Sequence, residues 1–356
     1  MARRHGQRGY TLIEIMIALT IGVFLTGGML NLYIGSKRAY NIQSTLTELQ
    51  EVGRFGIKSM IEDIRMAGFF GCGTTASVVN VLTGGAANWE INAAEPLRGF
   101  DAGVSVFPPN FAGNVVANTD ALVLLRTQPS DAYVVDTHST AANQLTLKGS
   151  HDLQQGEILA VTDCLNTAIF QQTNANAASV ATTIDHAAGT TIPGNCAPGL
   201  GGPVDCAAGT SQPYQFPEES FITRVISRAY YIGTGASGRS ALFRLDINNT
   251  GALNAPVEMA DGIVDMQLVY GVDTNNDGAI EAYRTAGAIA AADWPSVLSV
   301  QINLLVESAD DRVADDQTSY VLFDGTAASL VPVTPGDRRI RRVYSATTTI
   351  RNRAIL

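Results

Sequence analysis

The chain has 356 residues, with 23 basic and 33 acidic side chains, a net charge of −10 and only 16% charged residues. That length suffices for one large domain or two small ones. The acidic balance argues against DNA or RNA as a direct ligand, because neutralising phosphates needs clustered Lys and Arg.

The first element is a short basic leader, Arg3, Arg4 and Arg8, followed by a stretch to Ser36 whose one charge is Glu14. The apolar run from Ile15 to Ile34 has about the 20 residues needed to span a bilayer. It is longer than the 7–15-residue apolar region of an ordinary secretory signal. A charge at the bilayer centre costs about 2.5–3.5 kcal/mol, so a carboxylate in such a segment reads as functional. The leader arginines hold the N-terminus in the cytoplasm, while Lys37 and Arg38 make the bias only mild; everything after Arg38 is expected outside the inner membrane.

The text Arg8-Gly9-Tyr10-Thr11-Leu12-Ile13-Glu14 resembles the class III signal of type IV prepilins and type II secretion pseudopilins. The resemblance implies cleavage after Gly9 by a prepilin peptidase, N-methylation of Tyr10, and pairing of Glu14 with a neighbouring subunit's N-terminal amine. Loss of residues 1–9 removes three of the 23 basic side chains and no acid, leaving 20 against 33, or −13. A permanent anchor of the same length would give no reason for Glu14 or for a glycine directly before Tyr10.

The helix is expected to continue past the membrane. Leu46, Leu49, Gly53, Phe55, Ile57, Met60, Ile61 and Ile64 recur at helical spacing, and Glu48, Glu51, Arg54, Lys58, Glu62, Asp63 and Arg65 take the other faces. The Gly68–Gly73 stretch supplies a stop. A helix of about 55 residues would be about 80 Å long. Gly22, Gly27, Gly28 and Gly35 either allow close helix approach or follow the ordinary frequency of glycine in membrane helices.

Beyond Cys72 the text becomes short β-like segments separated by Gly, Asn, Thr and Pro. Expected strands include 121–126, 133–136, 144–148 and 157–162. A later set covers 224–232, 241–247, 263–272, 297–307, 320–323 and 339–350, with clear alternation from Leu298 on. The organisation is therefore leader 1–9, long helix 10–70 with its membrane span at about 12–35, a first β-rich lobe 71–172, a Gly/Pro/Ala-rich loop 173–217 and a C-terminal β-rich lobe 218–356. The fold class is α+β, a long helix carrying an antiparallel β-rich region of two lobes, the lollipop shape that the pilin resemblance also implies.

Cys72, Cys164, Cys196 and Cys206 all follow the span, and an even count in an exported compartment suggests disulfides. Of three possible pairings, Cys196 with Cys206 would staple the Pro/Gly-rich loop between them, leaving Cys72 for Cys164. Zinc is the alternative, without a Cys-x-x-Cys or nearby histidine pair to support it.

Asp273, Asn275, Asp277 and Glu281, with Gly278 at the sixth position, match the first part of a calcium loop, whereas Arg284 stands where the bidentate Glu would be. The competing reading is a polar hairpin turn, since Asn-Asn-Asp-Gly is strong turn chemistry. A bound calcium would brace the loop and catalyse nothing; no cofactor is required. Gly233, Gly235 and Gly238 spell a dinucleotide pattern but lie between strands with no helix following, so a hairpin loop is expected. His5, His138, His151 and His186 belong to no catalytic motif, and Asp120, Asp310, Asp311, Asp315 and Asp316 read as loop acids; an enzyme is not expected. The basic run Arg338-Arg339-Ile340-Arg341-Arg342 reads as structural or subunit-contacting.

The C-terminal text, Ser227-Arg-Ala-Tyr-Tyr-Ile, Ala241-Leu-Phe-Arg-Leu, Gly262-Ile-Val-Asp-Met and Tyr344-Ser-Ala-Thr-Thr-Thr-Ile, is similar to PilW-type minor pilins, and more distantly to the large minor pseudopilin of type II secretion. The implied partners are the prepilin peptidase, other minor pilins, the major pilin, a tip adhesin and the inner membrane. The implied location is single-pass in the inner membrane with a periplasmic C-terminal domain, then the pilus tip. Two alternatives stay open: a minor pseudopilin of a type II secretion system, and a permanently anchored periplasmic binding protein or enzyme.

Overall fold

The computed structural model describes residues 10–72, 77–85, 88–101, 115–175, 181–189, 192–246, 254–314 and 316–353. The leader 1–9, with Gly9, lies outside the described residues, as does Asp315. One helix, α1 (Leu12–Met66), runs without interruption through Gly22, Gly27, Gly28 and Gly35. A Cβ added at any of these four glycines would meet nothing within 4 Å, so none of them is used for packing inside the chain.

Two different environments divide α1. Its first thirty or so residues are exposed on every side, from Tyr10 at 84% to Tyr40 at 71%. From Leu49 on, one face is buried: Leu49, Gly53, Gly56, Met60, Asp63 and Ile64. The approach to the sheet is closest at two glycines. A Cβ at Gly53 would fall inside the Tyr344 ring, and one at Gly56 would lie 2.9 Å from Ile263 Cδ1 and 3.0 Å from Leu304 Cδ1. The helix stops at Met66, and Gly68, at φ +73°, turns the chain so that its N–H donates to Leu125 O at 2.9 Å. Positive φ suits glycine, which has no Cβ to clash.

The first strands are β1 (Ser77–Asn80), β2 (Leu97–Phe100), β3 (Ala121–Thr127), β4 (Tyr133–Ser139), β5 (Gln144–Leu147), β6 (Ile158–Thr162) and β7 (Asn166–Gln171). The middle of the chain adds β8 (Thr183–Asp185), β9 (Gly201–Asp205) and β10 (Thr210–Gln212). The last set is β11 (Phe221–Thr234), β12 (Ser240–Asp246), β13 (Val257–Asp261), β14 (Ile263–Val272), β15 (Ala282–Arg284), β16 (Val297–Glu307) and β17 (Arg341–Thr349).

The α+β class is as expected, but the lobes are not sequential. Strand β11 is 14 residues long and serves two sheets at once. Its start, Phe221–Arg224, pairs with β6 and β4; its remainder pairs with β3 and β12. Strands β2 and β3 therefore join β11, β12 and β13, across the boundary drawn at 217/218. The reason is burial: a strand of alternating apolar residues this long has two core faces to cover, and no contiguous stretch of sequence supplies both. The segment 173–217 is likewise not all loop, because β8 pairs with β5 and β9 with β10. The sequence expects a strand at 320–323; the structure has there a single bridge, Tyr320 to Val333. A separate sheet, ordered β15-β14-β16-β17, receives α1 on one face.

At the centre of the helix contact stands Asp63, 3% exposed. Its carboxylate accepts from Arg126 Nε (3.1 Å) and Nη2 (3.0 Å), Arg228 Nη1 (2.9 Å) and the Tyr230 hydroxyl (2.6 Å). Burial, then Asp63, raises the Tyr230 phenol, while burial works against the Arg228 charge and Asp63 and Asp246 outweigh it. Helix, β3 and β11 are thereby locked together. Replacing Asp63 by Ala leaves two guanidiniums without their buried partner and should cost about 3–5 kcal/mol. Breaking the exposed Lys58–Glu62 pair (3.9 Å) should cost less than about 0.5 kcal/mol. Urea unfolding of the full chain in detergent measures both; equal losses would remove Asp63 from this role.

Candidate functional site

The first turn of α1 is the exposed end of the molecule. Thr11 caps the helix in extended conformation, and Glu14 stands at the third helical position. Glu14 N–H donates to Thr11 Oγ1 (3.4 Å), and Glu14 Oε2 accepts from Thr11 N–H (3.2 Å) and Thr11 Oγ1 (3.1 Å). This reciprocal box satisfies N–H groups that a helix start otherwise leaves unpaired. Glu14 Oε1 makes no hydrogen bond among the described residues. Further along this exposed half of α1, Thr20 and Thr26 return their hydroxyls to the carbonyls of Met16 (2.8 Å) and Gly22 (2.7 Å), so they present no free donor. Tyr10 and Glu14 are thus brought together at a bare apolar helix end, and Glu14 is its one charge.

The candidate ion loop links β14 to β15. Asp273 is 4% exposed, and its oxygens accept from the N–H groups of Asn275 (3.3 Å), Asp277 (3.3 Å) and Gly278 (2.8 Å). Asn275 Oδ1 accepts from Asp277 N–H (2.9 Å), and Glu281 Oε2 from Thr274 N–H (2.7 Å). Asn276 and Gly278 have positive φ, 59° and 85°, which curls the loop inward. One carboxylate oxygen from each of Asp273, Asp277 and Glu281 lies within 4.8 Å of the others. Arg284, in β15, pairs opposite Tyr270, so the twelfth position belongs to the sheet rather than to the loop.

The other sequence candidates fall as follows. Cys72 bonds to Cys164 and Cys196 to Cys206. Gly233–Gly238 forms the β11–β12 hairpin, with Gly235 N–H donating to Arg239 O at 2.8 Å. In the basic run, Arg339 donates to Ser308 O at 2.7 Å, and Arg341 pairs with Asp337 and Glu307; Arg342 stays exposed. Asp311 organises a loop by accepting from Arg312 and Arg338 N–H, whereas Asp120, expected to be a solvated loop acid, is buried and accepts from Leu268 N–H at 2.7 Å.

Sequence reasoning left one pair unassigned. His138 and His186 are both buried, with their Nε2 atoms 3.0 Å apart. His138 Nδ1 accepts from Phe216 N–H (3.0 Å), so its proton is on Nε2. His186 Nδ1 faces Pro198 O (2.9 Å), so it carries a proton and its Nε2 accepts. The chain of bonds from Phe216 through both rings to Pro198 holds only while both imidazoles are neutral. The two are 48 positions apart, and no local spacing announces them.

Burial holds both histidines down to about 4 in the folded chain, from 6.5, with His138 adding to the effect on His186. Depressed values mean that the unfolded chain takes up two extra protons between those limits, so stability is lost as pH falls from 6.5 towards 4. Asp265, pushed up to about 6 by burial, binds its proton in the folded state and works in the opposite direction. The comparison that isolates the histidines is unfolding free energy against pH for the native chain and for His138→Gln/His186→Gln. The native chain should lose more stability on acidification; parallel curves would reject the assignment.

Comparison with known families gives two matches. Residues 229–352 match the family of type IV pilus-assembly protein W (PilW), and residues 4–30 match the prokaryotic N-terminal methylation motif. Neither curated proteins nor solved structures gave a match. The two families lie at the two ends of the chain, one on the exposed helix and one on the sheets that hold it, and together they support a type IV pilus pilin role.

Proposed function

We propose that the chain is a minor pilin that initiates or caps type IV pili, without catalysis of its own. The observation that carries this reading is Glu14, the one charge on an apolar helix end exposed on all sides, beside the expected new N-terminus at Tyr10. A prepilin peptidase would cut after Gly9, in the leader outside the described residues, and Tyr10 would be methylated. The apolar half of α1 would store the subunit in the inner membrane, with the β-rich region in the periplasm, and would later pack against helices of the major and other minor pilins. Glu14 would then find a neighbour's amine. The size of the β-rich region favours a place at the tip, where a tip adhesin would also sit, over repeated packing along a thin fibre.

N-terminal mass spectrometry on chain from native membranes should show N-methyl-Tyr10. Glu14→Ala should keep that cleavage and abolish surface pili, whereas Gly9→Val should leave the leader attached. Normal piliation in both variants would sink the mechanism.

We also propose that Asp273, Asn275, Asp277 and Glu281 hold calcium as a brace for the β14–β15 connection. The convergent carboxylates and the positive φ at Asn276 and Gly278 support it. Isothermal titration of the full chain should show calcium binding in the millimolar range or tighter. Absence of heat at millimolar calcium, or unchanged heat in Asp277→Asn/Glu281→Gln, removes the site.

A further inference from the structure

The last strand, β17, borders its sheet and, among the described residues, pairs only with β16. The ladder runs from Glu307↔Arg341 to Ser299↔Thr349 without a bulge. Its phase follows from the bonds at its two ends: Ser308 N–H donates to Ile340 O (2.9 Å), and Ile350 N–H donates to Leu298 O (2.8 Å). In an antiparallel pair, residues that bond to the partner alternate with residues whose N–H and C=O point away. The even-numbered residues of β17 therefore face β16. Arg341, Val343, Ser345, Thr347 and Thr349 direct both backbone groups outward, and these make no hydrogen bond among the described residues.

Proteins normally blunt such an edge with proline, a bulge, a covering element or inward-pointing charge, because it is a template for another strand. β17 has no proline and no bulge across nine residues. Its composition, Arg-Arg-Val-Tyr-Ser-Ala-Thr-Thr-Thr, favours extended structure. α1 meets the even face through Tyr344 at Gly53, and no described residue hydrogen-bonds to the outward backbone groups of the edge.

Charge identifies the occupant. Arg342 and Arg54 flank Tyr344 closely enough to oppose the rise that burial gives its phenol. Both are exposed, as is Arg351 just past the strand, and none of the three has an ion pair among the described residues. These three guanidiniums without an ion pair, one on the edge strand, one on the helix beside it and one just past the strand's end, call for carboxylates from outside in a chain of net negative charge. A second copy of β17 would bring the same arginines and would be repelled.

We propose that the free edge of β17 receives an extended, acid-bearing segment of a different pilus subunit, which adds as a further strand with its carboxylates opposite Arg342 and Arg54. The backbone ladder would supply affinity, and the arginines would supply direction and choice of partner. The proposal rests on the pilin reading above.

Residue-resolved hydrogen exchange on the full chain, free in detergent and then in isolated pili or their assembly complex, tests it. The amides of Val343, Ser345, Thr347 and Thr349 should exchange fast in the free chain and slow by about tenfold or more on assembly, while those of Tyr344 and Ala346 are protected in both. Ser345→Pro removes an outward donor and leaves the β16 ladder whole, and Arg342→Glu reverses an unpaired exposed charge. Both variants should be processed and form both disulfides, yet enter pili about tenfold less than the native chain. Incorporation with the odd-numbered amides still fast, or native incorporation of both variants, overturns the site alone. Protection that arises in the free chain with rising concentration assigns the edge to a second copy and overturns the proposed partner. A chain that never enters pili or an assembly complex overturns the pilin reading and the site with it.

Discussion

The contact between α1 and the β-rich region centres on the carboxylate of Asp63. It is placed on α1, and its partners come from β3 (Arg126) and β11 (Arg228, Tyr230), strands about 60 and 165 residues further along the chain. A buried ion cluster of this kind adds little net stability over an apolar core of the same shape, because desolvation offsets attraction. It does penalise every other arrangement, since a slipped helix would leave charges unpaired in the core. Gly53 and Gly56 act in the same sense through shape: Tyr344, Ile263 and Leu304 occupy the space a Cβ would need. The β-rich region is thereby held at one height and one rotation on the helix. On the pilin reading, in which the helix packs against neighbouring helices, that fixed relation carries the axial position of the helix to the surface of the globular part.

The same helix carries two acids with opposite surroundings. Asp63 is satisfied within the chain, whereas Glu14, about 74 Å away at 1.5 Å per residue, has only the local box with Thr11. The disulfide from Cys72 to Cys164 ties the chain just past the end of α1 to the β6–β7 turn, so the region that Asp63 aligns is also closed covalently. The second, Cys196–Cys206, spans the turn that contains Pro198, the acceptor for His186. This second cross-link and the neutral histidine pair therefore act on the same excursion of the chain, 181–217, which has little regular structure of its own.

What the sequence made legible was local. Helical spacing from Leu46 to Ile64 and the glycines after it located α1, and strand alternation located β11, β14 and β16, because each of those signals lies within one element. What escaped it was the pairing of distant elements. Nothing around Phe221–Thr234 announces that one strand will serve two sheets, since its alternation is satisfied by any apolar surface on each side. Asp63 looked like one more solvated acid, because Arg126 and Arg228 are brought to it only by the fold. His138 and His186 gave no spacing at all. In the basic run, alternation did suggest a strand, but only the register separates Arg341, folded back onto Asp337 and Glu307, from Arg342, which stays exposed on the face it shares with Tyr344.

On the pilin reading, the box at Thr11 explains why Glu14 discriminates between settings. Loss of a helix cap costs about 1 kcal/mol. Two unit charges 4 Å apart gain about 1 kcal/mol in water, so an amine approaching Glu14 in solvent gains nothing over the cap already present. At an effective dielectric of about 20 the same pair gains about 4 kcal/mol, enough to displace the Thr11 hydroxyl and N–H from Oε2. Such a dielectric holds wherever the first turn is out of bulk water, in the bilayer as well as between packed helices. The ionic contact with a neighbour's amine is therefore worth more than the Thr11 cap only away from bulk water, and there Oε1, which the cap leaves unused, can receive the amine while Oε2 stays with Thr11.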